Sequence, residues 1–269
     1  GGVNYFLIDN QYNGLCNYNG NNIQLNKFDI IVNSEYYNII TSMIQYKNIS
    51  SIYIGQNYSG INSNDKRLTD IKTKTSLLCY VSQQKGFIKY IEQNNIKKNR
   101  DFNKWKVITA EANGGKGCFG NIFIGKPNEI CNQSYIIFEI ETENEAKSLL
   151  SYMKCKLPNF MLSLRKISQH INESTCKWIP LPPLNKEWND EEVYKYFKLT
   201  EDEIKLIKET KISGYNNVNK NDNNELKIIK DGRKQYYLID NKLYKIKKDK
   251  TQGKLFGNYI DGKIIEENK

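Results

Sequence analysis

The chain has 269 residues, 40 of them Lys or Arg and 30 Asp or Glu, for a formal net charge of +10, and a mean hydropathy of -0.68. That length suits one large domain or two modest ones with a core of ordinary size, and the polarity excludes an apolar run able to span a bilayer. Six scattered cysteines without a Cys-x-x-Cys, and a single histidine, argue against a zinc site and for a reduced, cytoplasmic protein with no membrane partner.

In chain order, Val3-Asn4-Tyr5-Phe6-Leu7-Ile8 is a short apolar and aromatic run that reads as a buried strand, and 28–32 is a second. A helix is expected over about 34–46 with Ile39, Ile40 and Met43 inward. Residues 77–91 are strand-like and aromatic. Trp105-Lys106-Val107-Ile108-Thr109 has the period of a half-exposed strand. A loop with five glycines between Gly114 and Gly125 follows, then a strand over 135–140. Thr142-Glu143-Asn144-Glu145 is a capping box that starts a helix carrying Ala146, Leu149, Leu150 and Met153 on one face. Pro158 suits the first turn of a second helix, whose stripe of Phe160, Met161, Leu164, Ile167 and Ile171 leaves Arg165 and Gln169 on an exposed face with Lys166 and His170 beside them. Further helices start near Asn189 and at the capping box Thr200-Glu201-Asp202-Glu203. Residues 213–225 are Asn-rich and read as a linker. The turn pairs Asp231-Gly232, Asp240-Asn241 and Asp261-Gly262 predict β-hairpins in the tail. The fold class expected is α+β, with strands followed by helices and a small C-terminal β-hairpin module.

Charge is unevenly placed. Residues 1–60 carry a net of -1, 61–135 a net of +7, 136–212 a net of -1 and 213–269 a net of +5. Lysine set by codon bias alone would be spread more evenly. A clustered basic surface suits a polyanion, because each phosphate neutralised releases counterions. The chemistry of catalysis is harder to find. The loop Asn113-Gly114-Gly115-Lys116-Gly117-Cys118-Phe119-Gly120 lacks the Lys-Ser/Thr of a phosphate-binding loop and is followed by a strand. Glu203-Ile204-Lys205 and Glu225-Leu226-Lys227 match a nuclease tripeptide in an unsuitable setting. His170 has no orienting carboxylate or nucleophile at a telling distance in sequence. The residues thus point to a binding module.

A resemblance adds to this. Gly1-Gly2-Val3-Asn4-Tyr5-Phe6-Leu7-Ile8-Asp9, with Tyr12-Asn13-Gly14-x-Cys16, resembles a segment a little downstream of the catalytic motif in adenine-specific DNA methyltransferases of restriction–modification systems. Trp105-Lys106-Val107-Ile108 leading to Ala112-x-Gly114 is similar to the same proteins. So are Ser163-Leu164-Arg165-Lys166-Ile167-Ser168-Gln169-His170-Ile171 and Trp178-Ile179-Pro180-Leu181 with Trp188-Asn189-Asp190-Glu191-Glu192-Val193-Tyr194. The stretch Leu199-Thr200-Glu201-Asp202-Glu203-Ile204 and the tail Leu243-Tyr244-Lys245-Ile246-Lys247-Lys248-Asp249 with Gln252-Gly253-x-Leu255-Phe256-Gly257 extend the likeness to almost the whole chain.

The family implies a Rossmann-like domain that binds S-adenosyl-L-methionine and grips the target amino group with an Asn/Asp-Pro-Pro-aromatic tetrapeptide, followed by a target recognition domain. Leu181-Pro182-Pro183-Leu184 lacks both flanking residues of that tetrapeptide, and no cofactor-binding glycine turn follows a strand. The resemblance therefore implies the last strands of a catalytic domain over 1–32, a recognition domain over 33–212, the linker, and a β module over 226–269. The cofactor would be held by a catalytic domain upstream or in trans, and double-stranded DNA is the expected partner. No catalytic residue and no metal ligand is assigned. Adenine must be flipped out of the duplex to be methylated, and Tyr5 or Phe6 is the expected stacking residue. Lys104, Lys106, Lys116, Lys126, Arg165 and Lys166 are expected at phosphates, with Gln169 and His170 as base readers. Three other readings stand beside this one: a free-standing specificity module, which would serve a separate catalytic subunit; an inactive remnant; and a nuclease built on Glu203 or Glu225. The parent would be a methyltransferase or a fused type II restriction endonuclease–methyltransferase.

Overall fold

A strand that is apolar on both sides must be covered on both faces, and that requirement organises the molecule. The computed structural model describes residues 9–18, 21–24, 28, 30, 32–55, 58–82, 87–96 and 102–215, and five strands between 227 and 266. In chain order these hold β1 (Cys16–Tyr18), β2 (Asn21–Ile23), a 3-10 turn (Ser34–Tyr36) running into α1 (Tyr37–Met43), β3 (Tyr53–Ile54), β4 (Ser76–Ser82) and β5 (Phe87–Glu92). There follow β6 (Trp105–Ala110), β7 (Ile122–Gly125), β8 (Glu129–Cys131), β9 (Tyr135–Ile140), α2 (Glu143–Lys154), α3 (Lys156–Arg165), α4 (Glu173–Cys176), α5 (Asp190–Tyr196) and α6 (Glu201–Glu209). The last strands are β10 (Lys227–Asp231), β11 (Lys234–Ile239), β12 (Lys242–Ile246), β13 (Gln252–Ile260) and β14 (Lys263–Glu266). The class is α+β.

The central sheet has the order β3-β9-β6-β7 and is antiparallel throughout. Because side chains alternate across a strand, β9 sends Ile136, Phe138 and Ile140 into a core shared with the helices. Tyr135 and Ile137 go into a second core against the sheet β5-β4-β8. In that smaller sheet β4 pairs antiparallel with β5 and parallel with β8. The alternation in β6 is the same, with Val107 on the helical side and Ile108 on the other. The strand predicted as half-exposed over 105–109 is therefore covered on both faces, and even Lys106 and Thr109 are fully buried.

Local signals set the helix starts. Thr142 accepts the Glu145 N–H at 3.2 Å while Glu145 accepts the Thr142 N–H at 3.0 Å. Ala146, Leu149 and Met153 are then buried as the period requires. Thr142→Ala is expected to cost about 1 kcal/mol of unfolding free energy, read as a lower urea midpoint. Asn189 caps α5 and Thr200 opens a capping box on α6. In α1, Ile39, Ile40 and Met43 face inward as expected.

Two expected elements differ. Phe28, Ile30 and Val32 lie outside any strand; their side chains pack on the helical core, Phe28 against Tyr37 and Trp178 at ring separations of 4.8 and 6.2 Å. The second helix stops at Arg165 instead of running to Ile171. Lys166 leaves helical backbone at φ -81, ψ 82, and the Ile167 N–H turns back to the Arg165 carbonyl at 3.0 Å. Ile171 still reaches the core, but Ile167 is 92% exposed.

A turn braces the second core. Arg67 donates to Asp65 Oδ2 at 2.5 Å, to the Asn95 carbonyl at 2.7 Å and to the Gly60 carbonyl at 3.1 Å. The Arg67 guanidinium pulls the Asp65 carboxyl down to about 2. A carboxyl depressed in the fold stabilises it above the unfolded value, and that contribution is lost as pH falls through the folded value. Stability is expected to drop between about pH 4 and pH 2, and Asp65→Asn to remove that part of the profile when urea midpoints are followed against pH.

In the tail, β10 to β14 form an antiparallel meander in sequence order. The hairpins predicted from its turn pairs are present, with Tyr236 stacked on Phe256 at 4.3 Å. Ser213 and Gly214 form a turn, and Tyr215 donates to the Lys154 carbonyl at 3.0 Å. The remainder of the expected linker, 216–225, lies outside the described residues, as does the strand expected at Val3 to Ile8.

Candidate nucleic-acid interface

At the end of β6 the chain enters the glycine-rich loop, where Gly114 and Gly115 sit at φ +48 and +77. Backbone of that kind favours glycine and turns the chain tightly, with the Lys116 N–H bonded to the Asn113 carbonyl at 2.8 Å. The loop is fixed from two directions. Ala112 forms a β-bridge with His170, the Asn113 N–H donates to the Gln169 carbonyl at 3.0 Å, and the Ile171 N–H donates to the Glu111 carbonyl at 2.8 Å. On its other side the Gly117 N–H donates to the Ser213 carbonyl at 2.9 Å. Gly214, at φ +81, lies under the Lys116 stem, where any Cβ would meet Lys116 Cδ at 2.5 Å. Lys166 Nζ ties the two segments together by donating to the Lys116 carbonyl at 2.7 Å and the Ser168 carbonyl at 3.0 Å. An ammonium has three donors, so one N–H remains. Burial pulls the Lys166 ammonium below its ordinary value, and nearby Cys118 and Glu111 oppose that.

His170 stands at the mouth of a cleft of about 490 Å³ lined by Tyr53, Glu111, Ser168, His170, Ile171 and Asn172. Its Nδ1 lies 2.6 Å from Glu111 Oε1, and the Glu111 side chain is only 10% exposed while that of His170 is 47% exposed. With Nδ1 facing the Glu111 carboxylate, Nε2 lies 3.3 Å from the Gln169 side-chain amide nitrogen. Burial, followed by the charges of Cys176 and Glu111, pushes the Tyr53 hydroxyl up to about 12, so it stays a neutral donor. The sequence separation of 59 between Glu111 and His170 concealed this orienting carboxylate. Ser168 Oγ accepts the His170 backbone N–H at 3.3 Å, so the serine bonds main chain and not the ring. The arrangement presents fixed donors and acceptors to solvent; it does not assemble an activated nucleophile.

The structure thus brings Lys116, Lys166, Gln169 and His170 together. Lys104 and Lys126 lie at the other end of β6, since Lys106 pairs with Gly125, roughly 20 Å away at about 3.3 Å per residue. There Lys104 is bound to Glu141 at 2.7 Å, and Lys126 is exposed. Two expected phosphate contacts are corrected. Lys106 is 0% exposed, and its ammonium donates to the carbonyls of Glu129 at 3.0 Å, Lys126 at 3.1 Å and Phe102 at 3.3 Å. Arg165 is 5% exposed; it donates to the Ser174 carbonyl at 2.8 Å and Ser174 Oγ at 3.1 Å and lies 4.5 Å over the Trp178 ring. Both are spent on internal structure. Tyr5 and Phe6 lie outside the described residues.

Three further cations of the +7 block are exposed and make no ion pair among the described residues: Lys66, and Lys72 and Lys74, which precede β4 at the end of that strand nearer Glu129. The segment carrying Lys66 meets the Glu111 end of the sheet, with the Gln133 N–H donating to the Ile61 carbonyl and the Glu111 N–H to the Ser134 carbonyl, each at 3.0 Å. Their position inside the +7 block was the available signal. Glu203 of the nuclease-like tripeptide is occupied as the capping residue of α6, accepting the Thr200 N–H at 2.8 Å; Glu225 lies outside the described residues. Burial pushes the thiols of Cys131 and Cys176 up to about 12, which leaves them protonated and inert. Among the described residues no cluster of His, Cys, Asp and Glu could hold a metal, and no helix is long and apolar enough to cross a membrane. The chain matches no model of a known protein family, and no curated protein matches it.

Proposed function

We propose that this chain is the DNA-recognition part of a site-specific adenine methyltransferase of a restriction–modification system, acting in the cytoplasm. The observation that supports this most is the pinned pair of segments 112–117 and 166–171, which holds the half-exposed Lys116 and the exposed Gln169 and His170 together. Lys116 contacts phosphate and sets position; Gln169 and His170 offer amide and imidazole edges to bases in the major groove. Glu111 fixes which imidazole nitrogen faces outward, much as a carboxylate orients a catalytic histidine, but here toward reading. S-adenosyl-L-methionine and the methyl transfer belong to a catalytic domain upstream or in trans. The flipped adenine stacks on Tyr5 or Phe6. The test is binding of the chain to labelled duplex DNA at rising KCl. The logarithm of the affinity is expected to fall linearly with that of the salt concentration; affinity indifferent to salt, or no binding, would dismiss the reading.

A further inference from the structure

We propose that Ile167 reads thymine, by placing its side chain against the C5-methyl group of the base in the major groove. The inference rests on the DNA-recognition reading and assigns it a specificity residue. Ile167 is 92% exposed, beyond any other large apolar side chain among the described residues; Ile71, the next, is 70% exposed. The exposure is built in, because both flanks are fixed. On one side Arg165 is buried on Ser174 and Trp178, and Lys166 is tied to the Lys116 and Ser168 carbonyls. On the other, the Gln169 carbonyl accepts from Asn113, the His170 ring is held by Glu111, and Ile171 is fully buried. The segment cannot fold its isoleucine inward without breaking these bonds.

The neighbours decide the occupant. Ser168, Gln169 and His170 are exposed and polar, so this segment presents Ile167 as a single apolar side chain and not as part of an apolar run. One apolar side chain among amide, imidazole and ammonium groups matches the floor of a major groove. There the thymine methyl is the one apolar feature among donors and acceptors, and cations beside it face phosphates.

The experiment enriches duplexes from a random-sequence library on the 269-residue chain, then replaces each thymine of the preferred duplex in turn by deoxyuridine, which lacks only the methyl. Removing the methyl at one thymine is expected to weaken binding about fourfold, the equivalent of one buried methylene. Ile167→Ala should abolish that sensitivity and leave the salt dependence unchanged. Ile167 buries almost nothing, so the variant should unfold at the wild-type urea midpoint. Salt-dependent binding with no thymine sensitive to the exchange, with no preferred sequence, or with the sensitivity surviving in Ile167→Ala overturns the role of Ile167 alone. Absence of duplex binding at any salt concentration overturns the DNA reading and this inference with it.

Discussion

Lys106→Met is expected to lower the unfolding free energy by about 3 kcal/mol, about 1 for each ammonium hydrogen bond lost. The aliphatic stem is not the issue. It passes across Gly125, where an added Cβ would sit 2.8 Å from Lys106 Cγ, and Met refills that space. What Met cannot supply is the ammonium that gathers the Phe102, Lys126 and Glu129 carbonyls. These carbonyls belong to the approach to β6, to the turn between β7 and β8, and to the first residue of β8, so one cation closes the end of two sheets. Removing a buried charge returns its own desolvation cost, which makes a fully apolar replacement of an ionic network close to neutral in other settings. Here the Phe102 and Lys126 carbonyls keep the Asn128 and Glu129 N–H donors at 2.8 and 3.1 Å, but the three bonds from a charged donor are lost, and the return is incomplete. Urea unfolding reads the effect. A phosphate-contacting lysine would behave in the opposite way, leaving the urea midpoint in place and making the salt dependence of DNA binding shallower by about 0.9. Lys106→Met should leave that slope alone, and a variant as stable as wild type would show that the three bonds carry nothing.

The same residue marks the boundary of what the sequence could show. Thr142, Asn189 and Thr200 announced their helices because a cap bonds to the backbone only three residues on. The strand at Tyr135–Ile140 was legible because its apolar run is short and bounded by turns. Lys106 was misplaced because its surroundings come from residues up to 23 positions away, and a lysine in an alternating strand looks solvent-facing until a second sheet is known to cover it. Arg165 failed likewise: helical periodicity put it outside, but α4 packs back against it. Of the site, the clustering of charge was visible, while the pairing of Glu111 with His170 depends on the bridge between Ala112 and His170, which no local pattern encodes. Truncating the helix at Arg165 also changed the meaning of Ile167, from an expected core residue to an exposed one.

Changing Lys66, Lys72, Lys74 and Lys116 together to Gln is expected to make the salt dependence of duplex binding shallower by about 3 to 4, since each phosphate contact contributes about 0.9 to the slope. The four are exposed or half-exposed, and Gln keeps the Lys116 carbons that lie over Gly214, so the fold should survive and the urea midpoint should hold. Loss of affinity alone would not identify a site, because the chain carries +10 and any loss of four charges weakens attraction to DNA at long range. The comparison that decides is a second variant with Lys195, Lys198, Lys205 and Lys211 changed to Gln. These are also exposed and lower the net charge equally, but they lie in the stretch whose own balance is -1. If binding is local to the basic block, the second variant keeps nearly the full slope while the first loses most of it. Equal losses would mean that the duplex responds to total charge, and the basic block would then have no privileged part in binding.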